Sequence, residues 1–207
     1  MSTNTLYRLA GWAGLAAGVL LLVATARRGG LLPENAFTHA IAPPASALAL
    51  FTLTGVYLRQ RARAGVLGLV GFAVNLVGLA GLFAVEVITH AVFPYLDETT
   101  RTDLLAGPTR TWFLVIAMTF LAGVLLFGVA SLRARVLPAG AIALYLLGFA
   151  PAALRGIVPE AVYLGGLTVG AVALLWLSTA LLAGDRDAGD EPHENRAAPA
   201  VPAEHRG

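Results

Sequence analysis

Six apolar runs constrain this chain more than any other feature. They fall at 6–26, 37–58, 65–92, 111–132, 138–154 and 160–183. A helix needs about 20 mostly apolar residues to cross a bilayer. In lipid every backbone N–H and C=O must be paired internally, which leaves helices or closed barrels. Only 13% of the residues are charged and 57% are apolar, whereas soluble domains carry about 25% charged residues. The expected fold is all-α: a polytopic six-transmembrane-helix bundle over residues 1–183. The polar, aperiodic stretch at 184–207, rich in Ala, Pro and charge, is expected to be a disordered tail.

The ends of the runs carry the next level of information. The first closes on Ala24-Thr25-Ala26, which resembles a signal-peptidase site. Arg27 and Arg28 follow at once, and the run exceeds the roughly 7–15 residues of a signal-peptide core, so a retained helix is expected. Pro43-Pro44 interrupts the second run. Proline removes a donor and disfavours helix in the residue before it. Either the helix starts at Pro43, or 37–42 is a kinked entry. The longest connection is 94–110, where Asp97, Glu98, Thr99 and Thr100 suit the start of a surface helix. Pro138 and Pro159-Glu160 suit first turns.

Orientation follows the arginine excess. Arg8, Arg59, Arg61, Arg63, Arg133, Arg135 and Arg186 fall on one side, seven in all; Arg27, Arg28, Arg101, Arg110 and Arg155 fall on the other, five in all. The expectation is a plasma-membrane protein with both termini cytoplasmic. Tyr7 and Tyr57 then mark the inner interface, and Tyr95, Trp112 and Tyr163 the outer one. The basic balance outside the tail reads as membrane anchoring, with no nucleic-acid partner.

Composition also excludes chemistries. The chain has no cysteine, and all fourteen of its basic residues are arginine. Thiol nucleophiles, disulfides and lysine Schiff bases are therefore absent. The arginine, Ala, Gly, Leu and Val bias points to GC-rich codons and a bacterial source. No Walker loop, HExxH, GxSxG, GxGxxG or aspartate-rich cluster is present, and the residues name no cofactor.

The third run differs from the others in carrying an acid in its interior, Glu86, with His90 one turn on. At about 100° per residue, Asn75 and Glu86 lie within about 20° of each other, and His90 about 60° from Asn75. The three form a stripe with Leu79 and Leu82 between them. A charge at the centre of a membrane helix costs roughly 2.5–3.5 kcal/mol, so this stripe is expected to face inward and find partners. The proposed topology gathers His39, Glu86, His90, Asp97, Arg101, Arg110, Arg155 and Glu160 at one mouth. Glu86 and His90 are the candidate catalytic residues; His39, Asn75, Arg110, Arg155 and Glu160 are candidate binding residues. His39, Glu86 and His90 are the one ligand set a metal such as zinc could use. Without a metal, Glu86 pairs with Arg155 or Arg110, carries a proton, or acts as a burial-protonated acid on a lipid. The leading expectation is a protein that binds or responds to lipid or a partner at the outer face. The alternative is a small membrane enzyme or carrier acting on a lipid-soluble substrate.

Gly14/Gly18, Gly65/Gly68/Gly71, Gly78/Gly81 and Gly166/Gly170 are spaced for close helix approach. They suit packing within the chain, and alternatively a homodimer. The stretch Arg63-Ala64-Gly65-Val66-Leu67-Gly68-Leu69-Val70-Gly71-Phe72, then Glu86 and Pro94, and later Gly128-Val129-Ala130-Ser131-Leu132-Arg133-Ala134-Arg135-Val136-Leu137-Pro138, resembles a group of uncharacterised bacterial six-helix membrane proteins. The likeness spans roughly 48–183. It implies six helices and leaves the activity open.

Overall fold

A computed structural model describes residues 3–189, and all its regular structure is helical. α1 is Thr3–Arg28, α2 is the short Ala36–Ala40, α3 is Ala42–Val87, α4 is Glu98–Ala106, α5 is Pro108–Ala134, α6 is Ala139–Ala153 and α7 is Glu160–Gly189. A π-helical turn, Ile88–Val92, and a 3-10 turn, Phe93–Tyr95, end the α3 run. Among the described residues, four stretches are long and apolar enough to cross a membrane: Thr5–Arg28, Phe37–Tyr95, Pro108–Ala134 and Glu160–Ala183. α6 is apolar but shorter. This is the signature of a multi-pass membrane protein.

α3 revises the expected segmentation. No loop separates the second and third runs, because residues 59–64 stay helical and the reversal happens at Gly65. Its φ of 59° and ψ of −161° are open only to glycine. The two arms, 42–64 and 66–87, fold back on each other there. Tyr57 stacks on Phe72 with ring centroids 4.3 Å apart, and at the far end the His39 and His90 rings lie 5.8 Å apart. A straight helix of that length would reach about 69 Å, more than twice the roughly 30 Å hydrocarbon core. The arginines Arg59, Arg61 and Arg63 therefore flank a one-residue helical turn.

Other ends follow local chemistry. Pro43 and Pro44 sit in the first turn of α3, where their missing N–H groups cost nothing, and Ala36–Ala40 forms a separate helix before them. Asn35 and Thr38 cap that helix reciprocally. Asp97 caps α4 as expected; the Thr100 N–H and hydroxyl donate to its carboxylate and hold it below the usual carboxylate range. α7 runs past the expected 183 to Gly189; most of the expected tail lies outside the described residues.

The apolar helical runs form a closed ring of antiparallel neighbours. α1 packs on the first arm of α3, the second arm on α5, α5 on α6, α6 on α7, and α7 back on α1. Small residues let them approach. A Cβ on Gly71 or Gly78 would collide with the Phe127 or Phe120 backbone, one on Gly148 with Gly170, and one on Gly14 with Thr52 and Ser178. The spaced glycines Gly14, Gly18, Gly71, Gly78, Gly166 and Gly170 thus pack within the chain.

Gly65→Ala should lower stability by about 1–3 kcal/mol, the cost of a strained backbone conformation. Gly165→Ala, which meets no neighbour within 4 Å, should be neutral. Thermal unfolding in mild detergent measures both, and an unchanged midpoint for Gly65→Ala would refute the hairpin turn.

Candidate functional site

The ring brings the ends of α1, the second arm of α3, α6 and the start of α7 together at one pole. There the last two residues of α1 meet Glu86 and His90 at the end of the α3 run. Arg28 Nη2 donates to both oxygens of Glu86 at 2.8 Å, and Arg28 Nη1 donates to the Tyr163 hydroxyl of α7 at 2.9 Å. Arg27 Nη2 lies 3.1 Å from His90 Nε2. Arginine only donates, so His90 Nε2 accepts and its hydrogen sits on Nδ1. That nitrogen faces the Glu86 backbone oxygen at 2.9 Å and Glu86 Oε2 at 3.1 Å. Two arginines, a histidine, a carboxylate and a tyrosine thus tie three elements together. Arg27 and the His90 side chain are each 6% exposed.

The expected partner of Glu86 is corrected here. Its carboxylate pairs with Arg28, and neither Arg155 nor Arg110 bonds to it. The ends of the first and third runs lie at the same pole of the ring, and there the Arg28 side chain reaches Glu86. Arg155 instead lies over the Tyr163 ring, 5.4 Å from its centroid. Arg110 stands at the start of α5.

The stripe divides along its length. Asn75 is fully buried, and its side-chain N–H₂ donates to the Tyr145 hydroxyl of α6. Eleven residues of helix put Asn75 about 16 Å below Glu86. It holds α3 to α6, away from the mouth. Angular spacing grouped Asn75 with Glu86 and said nothing of their separation along the helix. A second buried polar pair, Gln60 to the Ser131 hydroxyl at 2.6 Å, ties the first arm of α3 to α5.

His39 lies beside His90, 4.0 Å from Glu34, at a shallow hollow of about 500 Å³ shared with Pro43, His90, Pro94 and Tyr95. Glu160 is exposed in the first turn of α7. Among the described residues no three His, Asp or Glu side chains are grouped to hold a metal ion. Both His90 nitrogens and both Glu86 oxygens already have protein partners.

Inside the ring lies a cavity of about 930 Å³. All the apolar runs contribute to its wall, through side chains such as Leu21, Leu53, Leu82, Phe113, Phe149 and Leu167. Its polar rim is at the pole just described: Arg28, Glu86, Arg101, Arg110, Arg155 and Tyr163. α4 crosses this rim and supplies Arg101 and Leu105. An apolar interior and a cationic edge can hold an amphiphile lengthwise. Sequence reasoning reached Arg110 and Arg155 but missed Arg27, Arg28 and Tyr163; the signal available was that the outer ends of runs one, three and six share a side.

Comparison with known proteins yields no match to any family model, curated protein or solved structure. The likeness to bacterial six-helix membrane proteins therefore identifies no family. What stands is an all-helical protein with four long apolar helices.

Glu86→Gln should destabilise the protein by on the order of 3 kcal/mol, because it leaves Arg28 buried without its counter-charge. Glu86→Leu with Arg28→Leu should recover most of that loss. Unfolding midpoints of the three proteins give the comparison; a wild-type midpoint for Glu86→Gln would remove the ion pair from the account.

Proposed function

We propose that this is a multi-pass protein of a bacterial inner membrane that binds a lipid in its central cavity, chain inward and head at the rim. The observation that carries this is the cavity itself. Its volume of about 930 Å³ lies within the roughly 300–1,000 Å³ of small-molecule sites. Its walls are aliphatic and aromatic, and its charged groups lie at one end.

In this reading the chain crosses the membrane six times. The Gly65 turn divides the long α3 into two crossings, and α6 makes a short fifth. An even number of crossings places both termini on one side, and the arginine excess assigns that side to the cytoplasm. The cavity mouth then opens at the outer face. Glu86 and His90 support a clamp at that mouth better than a catalytic pair, since their polar atoms are already engaged by Arg28 and Arg27.

Native mass spectrometry from mild detergent should find a bound lipid on the wild type. Ala49→Trp and Ala117→Trp, which fill the cavity from two walls, should cut the bound fraction several-fold. Equal lipid on all three proteins would contradict the proposal. Reporter fusions should read as external between 96 and 107 and as cytoplasmic at 136; the reverse pattern would overturn the orientation.

A further inference from the structure

We infer that the lipid held in the cavity carries an anionic, phosphate-type head, gripped by Arg110 and Arg155. This rests on the lipid-binding reading and names its ligand class. The rim sets four arginines against one carboxylate. Two of the four have acidic partners: Arg28 is bound to Glu86, and Arg101 pairs with Glu98 one turn away. Arg110 and Arg155 have no acidic partner among the described residues. Arg155 lies over the Tyr163 ring, 5.4 Å from its centroid, a cation–π contact that positions the guanidinium and leaves its N–H donors for a ligand. A guanidinium presents its donors in a planar fork that matches phosphate or carboxylate oxygens. Two such forks at the edge of an apolar cavity repel a cationic head and leave a neutral one without a counter-charge.

Position gives a second argument. In the proposed orientation these arginines lie at the outer end, where the topology rule gives no reason for positive charge. Binding supplies one. The apolar wall beneath the rim, with Leu79, Leu82 and Phe113, selects an anion attached to a chain over a free one, so the source is an anionic membrane phospholipid.

The test is competition between phosphatidylglycerol and phosphatidylcholine of identical acyl chains, presented as an equimolar mixture to the full-length protein in neutral detergent and read by native mass spectrometry. The wild type should favour phosphatidylglycerol by about tenfold, the size of a good charge-assisted contact. Arg110→Gln with Arg155→Gln should bring the ratio close to one while total bound lipid persists. Arg110→Lys with Arg155→Lys should keep a preference for the anionic lipid. Both positions are exposed, so neither pair of changes disturbs the core. Lipid bound by the wild type without head preference would overturn the anionic-head inference and leave the cavity reading standing. No lipid bound at all would remove both. Displacement of phosphatidylglycerol by excess inorganic phosphate would show a free-anion site and overturn the choice of phospholipid.

Discussion

A carboxylate set into an apolar helix needs a counter-charge within reach, and here the end of the first helix supplies it. Arg28 meets Glu86 through one nitrogen shared between both oxygens, and its other terminal nitrogen reaches Tyr163 of the last helix. One guanidinium therefore links the first helix, the long hairpin and the final helix at a single pole. Arg27 adds a parallel link through His90. Removing one partner of such a buried pair is costly because the remaining charge stays desolvated. The pole is therefore fixed, and a rim of defined charge is set at the mouth of the bundle.

The cavity follows from the ring. Helix axes pack about 8–10 Å apart, and six cylinders in a circle enclose room for a seventh of the same width. Side chains from Phe120, Phe127, Ile142, Tyr145 and Phe149 fill part of that space. The remainder is the cavity, bounded by the same residues. Glycine contacts between neighbours keep the ring tight, while the buried pairs Gln60–Ser131 and Asn75–Tyr145 fix its register. These polar contacts lie among apolar neighbours, where each unpaired group is expensive. They specify which helix faces which. The Arg28–Glu86 pair does the same at the mouth and also shapes the rim presented to a ligand.

Much of this was legible in the residues, and its limits were physical. Apolar length showed the helices, Asp97 showed the surface helix, and Pro43-Pro44 showed a helix start. The acid inside an apolar run marked the pole where the charged groups gather. Gly65 was visible as a packing glycine, but its role as a one-residue reversal depends on a positive φ that composition does not display. Arg28 was counted as a topology signal and not as a partner, because pairing across helices needs the ring order, which no local pattern encodes. Asn75 shared an angular position with Glu86, yet the rise along the helix put it in a different layer. The cavity was illegible altogether, since it belongs to the arrangement of helices and to no single one of them.

The central claim is that a lipid chain lies inside the ring. Photo-crosslinking with a phospholipid carrying a reactive group along its acyl chain, followed by peptide mapping, tests it directly. The account predicts labelling at cavity-wall residues such as Leu79, Leu82, Phe113 and Ala152. Labelling confined to outward-facing residues such as Val66, Val77, Trp112 and Leu147 would place lipid only around the protein and contradict it.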